Sequence, residues 1–231
     1  MRTFRSSVGP FAERPYYTVS EIEKISVDSL RKEGLFPDEP SPIRIDRFIE
    51  KRFGIIPEYR DLGPGVLGMA GFGKKGVKGI VVAQSLDDES SITSERRIRT
   101  TMAHEGGHGL LHAHLFAFET EALLFGECTP NGPVVLCRDF GTVKSTKYTG
   151  QWWEVQANMA MGSLLMPRSL VLKAIDKFLE PSGQLGLKSL IQELRKEAVS
   201  ELSEVFDVNP IVATIKLDQL FPAGQASQLR L

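Results

Sequence analysis

Apolar residues recur along this chain with two different periods, and the switches between them mark out its elements. From Thr18 the spacing is helical: Thr18-Val19-Ser20-Glu21 has the form of a capping box, Ile22, Ile25 and Leu30 follow, and Gly34 ends the run. The Pro-rich segment Phe36 to Pro42 reads as a loop and Ile43 to Phe53 as a second helix. Strand material follows at Glu58 to Leu62, Val66 to Phe72 and Gly79 to Gln84, with Gly73-Lys74-Lys75-Gly76 turning the last two into a hairpin. A long helix is expected from an N-cap at Ser94 to Phe118, since no proline interrupts it. Its stripe Ile98, Met102, Gly106, Gly109, Ala113 and Phe116 lies beside a second stripe of His104, His108, His112 and Leu115, so the helix reads as buried on most sides. Phe125 to Tyr148 is irregular apart from a short apolar strand, Val134-Val135-Leu136. A third helix covers about 152–166 and stops at Pro167, and the tail adds helical stretches near 169–180, 186–206 and 210–220. The pattern predicts an α+β fold, a small antiparallel or mixed sheet flanked by helices, with one domain over 1–168 and a helical C-terminal extension over 169–231 packed on it.

Bulk properties narrow the function classes. At 231 residues one domain, or one domain with a small appendage, is expected. A net charge of −1 and a pI near 6.5 give no global pull toward nucleic acid or anionic membranes. The N-terminal MRTFRSSVGPFAERPYY has no apolar core of a signal peptide, and no stretch approaches the length of a membrane span. Cys128 and Cys137 are too few for a disulfide framework, so a reduced, cytoplasmic protein is expected.

The chemistry concentrates at His104-Glu105-Gly106-Gly107-His108. On a helix this HExxH spacing puts two imidazoles one turn apart, where both reach one zinc ion, with the intervening glutamate placed as general base toward water. Gly106 and Gly107 each cost about 1 kcal/mol against alanine in a helix interior, so backbone or substrate is expected to come close there. Catalytic zinc takes a third protein ligand. His114 has metzincin-like spacing but lacks the bending glycine, since Leu111 stands there; a continuing helix carries it about 15 Å from His104 along the axis. His112 fails for the same reason, at about 12 Å. Glu154 is the better candidate, because Glu154 and Asn158 sit at i and i+4 on one helix face. One can ligate while the other hydrogen-bonds the far nitrogen of a ligating histidine. The cysteine spacing matches no zinc site.

These residues resemble the ImmA/IrrE family of bacterial and phage metallo-endopeptidases. The likeness runs from Glu21-Ile22 through Asp61-Leu62-Gly63 and Leu67-Gly68 to two specific motifs. Arg99-Thr100-Thr101-Met102-Ala103-His104-Glu105 through Leu110-Leu111-His112 is similar to the family's RFTxAHExGHxLLH. Glu154-Val155-Gln156-Ala157-Asn158 ending in Leu164-Leu165-Met166-Pro167 is similar to its ExxAxxFAxxLLMP. The resemblance implies a zincin-like fold, one Zn2+ per chain on His104, His108 and Glu154, and Glu105 as catalytic base. It also implies cleavage of a cognate intracellular helix-turn-helix repressor or antitoxin-type regulator. The chain departs from the pattern at Thr100 and Met159, and by a long excursion between His108 and Glu154.

The tail from Leu202 to Pro210 resembles the family's helix-turn-helix-like element, with Asn209 as N-cap and Pro210 opening the next helix. That helix carries only Lys216 and Gln219 as candidate base or phosphate readers, so direct nucleic-acid binding is not expected. A second electrophilic donor is sought among His112, Arg138 and Tyr148. The substrate is expected to lie extended along a sheet edge offered by Val66 to Phe72 or Gly79 to Gln84, under a lid formed by 125–148. The competing class is a metal-bound but proteolytically silent partner of a repressor or antitoxin; a DNA-binding regulator would rest on the tail alone.

Overall fold

The capping box at Thr18 forms in the computed structural model of this chain, which describes residues 2–5, 13–73, 75–115, 134–138, 151–182 and 187–222. Thr18 Oγ1 accepts from the Glu21 amide at 3.2 Å, and the Glu21 carboxylate accepts from the Thr18 amide at 2.7 Å. This starts helix α1 (Val19–Lys32). Helix α2 (Ile45–Phe53) ends at Gly54, whose φ of 70° is the left-handed geometry that closes a helix without a Cβ penalty.

Four strands follow the expected positions closely: β3 (Glu58–Arg60), β4 (Val66–Gly73), β5 (Gly76–Ala83) and, after a long interval, β6 (Val134–Arg138). They form one mixed sheet in the order β3-β5-β4-β6, with β3 parallel to β5 and the other pairs antiparallel. The expected substrate edge is therefore corrected. Both β4 and β5 are interior, their ladder groups paired on either side, and among the described residues the sheet edges are β3 and β6. Residues 134–138 of the supposed lid are that edge strand; the rest of the excursion lies outside the described residues.

After the short helix α3 (Gln84–Asp88), helix α4 (Ile92–Leu111) begins three residues earlier than expected. Its N-cap is Ser91, and Ser94 is the reciprocal partner one turn in: each side chain accepts from the other's amide, at 3.1 and 2.9 Å. The helix also does not run on past Leu111. His112 is its C-cap, and helical geometry resumes at 113–115. Helix α5 (Trp152–Leu165) ends before Pro167, which caps helix α6 (Arg168–Ala174).

Beyond α6 the expected helices give way to a hairpin, β7 (Leu179–Ser182) with β8 (Leu187–Leu190). Pro181 has no backbone N–H to continue a helix there. Helices α7 (Arg195–Val205) and α8 (Pro210–Leu220) complete the tail. A second hairpin, β1 (Arg2–Arg5) with β2 (Glu13–Tyr16), stands at the N-terminus. The fold is α+β.

Helix α4 is central: it packs on α2, on the β4–β5 face of the sheet and most extensively on α5, which in turn receives α1. One apolar cluster runs from Phe48 and Ile49 through Phe72, Ile80 and Met102 to Leu164, Leu202 and Leu217, so core packing is continuous across Pro167. Polar ties reinforce the tail. Asp207, at the α7–α8 turn, accepts from Arg96 of α4 at 2.9 Å, and Asn209 donates to the Thr93 carbonyl. Lys216 of α8, buried, pairs with Glu23 of α1 at 3.0 Å. No helix among the described residues is long and apolar enough to cross a membrane.

Candidate metal centre

The close crossing of α4 and α5 builds the site. A Cβ at Gly107 would lie 2.9 Å from the Ala157 carbonyl oxygen and 3.0 Å from Ala160 Cβ, so the missing side chain lets the two backbones approach. Gly106 faces elsewhere, with nothing nearer than 3.9 Å to a Cβ placed there. Of the two expected close approaches, only the one at Gly107 is made by a helix.

Across this crossing His104, His108 and Glu154 converge. The two Nε2 atoms are 3.1 Å apart; Glu154 Oε2 is 3.1 Å from His104 and its Oε1 3.5 Å from His108. All three side chains are buried, and their ligating atoms lie within 4.8 Å of one another. Asn158, one turn along α5, accepts from His104 Nδ1 at 3.0 Å, which leaves His104 Nε2 with a lone pair. A bare imidazole nitrogen, a second imidazole nitrogen and a carboxylate crowded together are a donor set suited to a cation. Tetrahedral ligation at about 2.0–2.1 Å sets two nitrogens roughly 3.3 Å apart, near what is found. The cluster can hold a metal ion.

Electrostatics favour the ligating protonation states. Burial pushes His108 down to about 4, so it is neutral at pH 7. Burial alone would raise Glu154, but the His104 and His108 rings beside it hold it well below the usual carboxylate range. Behind His108 lies a further chain: His108 Nδ1 is 3.0 Å from His112 Nδ1, His112 Nε2 is 3.0 Å from Gln156 Oε1, and Gln156 Nε2 donates to the Pro15 carbonyl at 2.8 Å. Burial likewise drives His112 well below its ordinary value.

Glu105 differs from all of these. It is fully buried, neither carboxylate oxygen has a hydrogen-bond partner among the described residues, and burial, with a smaller push from Glu154 against the pull of His104, raises it to about 8. Its room comes from β4: a Cβ at Gly68 would sit 3.0 Å from Glu105 Oε1.

The other candidates fall out as follows. His112 and His114 are not in the ligand group, and both ring nitrogens of His112 are engaged by His108 and Gln156. It stands behind His108, with its ring nitrogens turned to His108 and Gln156. Arg138 is placed only by its backbone, opposite Val66 in β6, and Tyr148 and Cys128 lie outside the described residues. Gln156 and Gly68 went unrecognised in the sequence: a lone amide and a lone glycine carry no spacing signal of their own. No protein-family model matches the chain, and no curated protein matches it.

Proposed function

We propose that this chain is a zinc-dependent endopeptidase of zincin-like fold, related to the ImmA/IrrE metallo-endopeptidases, holding one zinc on His104, His108 and Glu154. The observation that carries the reading is the pairing of a buried His-His-Glu donor set with a buried carboxylate, Glu105, that makes no hydrogen bond among the described residues. When bound, zinc supplies Lewis acidity, which acidifies water and polarises a carbonyl. Glu105 is unligated, and burial raises its basicity, so its ionised form is suited to take a proton from water at the site and return it to the leaving amine. His108, neutral, and Glu154, anionic, keep their ligating atoms available at neutral pH.

The substrate in this reading is an intracellular helix-turn-helix repressor or antitoxin-type regulator, cut once in a flexible segment. Edge strand β6, next to the β4 strand that carries Gly68, is where an extended segment would pair backbone to backbone. Helices α7 and α8 are the helix-turn-helix-like element. Their role is packing or partner docking: Lys216 is spent on Glu23, and the exposed side chains of α8 include Ile211 and Ile215. The test is incubation of zinc-loaded protein with the regulator encoded beside its gene. A single cut is expected, with little digestion of casein; Glu105→Gln should keep its zinc while turnover falls about 10²-fold or more. Cleavage by the variant at wild-type rate would refute the mechanism. Absence of any cut by zinc-loaded wild type would favour the silent regulatory partner.

A further inference from the structure

The hydrogen-bond chain behind His108 has only one consistent direction, and it starts at a group that cannot be reversed. The Pro15 carbonyl in β2 can only accept, so the Gln156 side chain must turn its NH2 toward Pro15, at 2.8 Å. That leaves Gln156 Oε1 facing His112 Nε2 at 3.0 Å, and an amide oxygen only accepts, so His112 carries its proton on Nε2. In neutral His112 the Nδ1 is then a lone pair. The contact of 3.0 Å between His112 Nδ1 and His108 Nδ1 is satisfied only if His108 donates from Nδ1. In neutral His108 the Nε2 is then left bare, and it is the atom that faces His104 and Glu154.

We propose that Gln156, oriented by the Pro15 carbonyl, fixes the tautomer of His112 and through it that of His108, so that His108 presents an unprotonated Nε2 to the metal. Gln156 and His112 are thus positioning residues, doing for the second histidine what Asn158 does for the first by one direct bond. The two ligands are set independently, one from within α5 and the other through α5 to the N-terminal hairpin. This rests on the metal-centre reading above, but its core is a statement about protons that metal-free protein also reports.

The experiment is long-range 1H–15N correlation of the imidazoles in metal-free protein, followed by zinc titration against a competing chelator. Wild type is expected to show His112 protonated at Nε2 and both His104 and His108 at Nδ1. In Gln156→Leu, His112 and His108 should become tautomer mixtures while His104, held by Asn158, stays put; zinc affinity should fall about 10- to 100-fold. A general loosening of the fold would disturb His104 equally, so its constancy separates positioning from structure. His112→Phe, which keeps a ring but removes the acceptor, should alter His108 alone and weaken zinc similarly. Wild-type His108 protonated at Nε2, or unchanged tautomers and affinity in Gln156→Leu, would overturn the proposal. If wild type bound no zinc the metal reading would fail, while the spectra would still decide the tautomers.

Discussion

Glu105 and His108 respond to pH in opposite senses in metal-free protein. A carboxyl whose folded value is raised to about 8 contributes stability that is full below its unfolded value and is lost as pH rises through the folded one. His108, lowered to about 4, is neutral in the fold where the unfolded chain takes up a proton, so its contribution falls as pH drops below about 6.5. Between pH 6.5 and 8 Glu105 acts alone. Thermal unfolding with chelator present should therefore show Tm declining across that window, and Glu105→Gln should flatten the decline; an unchanged slope in the variant would mean that Glu105 is not desolvated as described. At this scale the sequence was most legible where spacing encodes function. Two histidines one helical turn apart and a glutamate-asparagine pair at the same interval name four residues of the site. Gln156 was illegible because its partners, His112 and the Pro15 carbonyl, are distant in sequence and meet only through packing.

The α4–α5 crossing turns these residues into a site, and the two adjacent glycines separate its requirements. At Gly107 a methyl group meets the Ala157 carbonyl and Ala160 at 2.9 and 3.0 Å, backbone that cannot easily yield. Gly107→Ala should destabilise by about 1–3 kcal/mol despite better helix propensity, and weaken metal binding by spreading the ligand-bearing helices. Gly106→Ala meets only side chains at 3.9 Å and beyond, so its propensity gain of roughly 0.5–1 kcal/mol should appear as added stability. Urea unfolding of the pair checks both signs, and equal effects would dismiss the close-crossing argument. Helices with strong caps and the β4–β5 hairpin were legible from local pattern. The short hairpins β1–β2 and β7–β8 were not, because four-residue strands such as Arg2–Arg5 carry little period-two signal. The α4 start was misplaced because two serines in one capping box both look like caps.

Across the whole molecule the tail is locked to the half that carries the candidate metal centre by polar ties as well as by the shared core. Glu23 of α1 accepts from buried Lys216 at 3.0 Å and from the Arg168 amide at 2.6 Å, joining α1, α6 and α8. Burial lowers the Lys216 pKa despite the Glu23 charge, so removing Glu23 strands a buried cation. Glu23→Ala should cost about 3 kcal/mol in urea unfolding, and a loss under 1 kcal/mol would show that the pair contributes little to the lock. Sheet order was beyond the sequence because β6 reaches β4 across a long excursion, which is also why the substrate edge was assigned to interior strands. The proposed function requires one metal held by His104, His108 and Glu154 from two helices. Zinc K-edge X-ray absorption on purified protein tests this most directly. It should give about one zinc per chain with only nitrogen and oxygen ligands near 2.0–2.1 Å, at least two of them imidazole. A sulfur shell near 2.3 Å, or a chain that retains no metal, would contradict it.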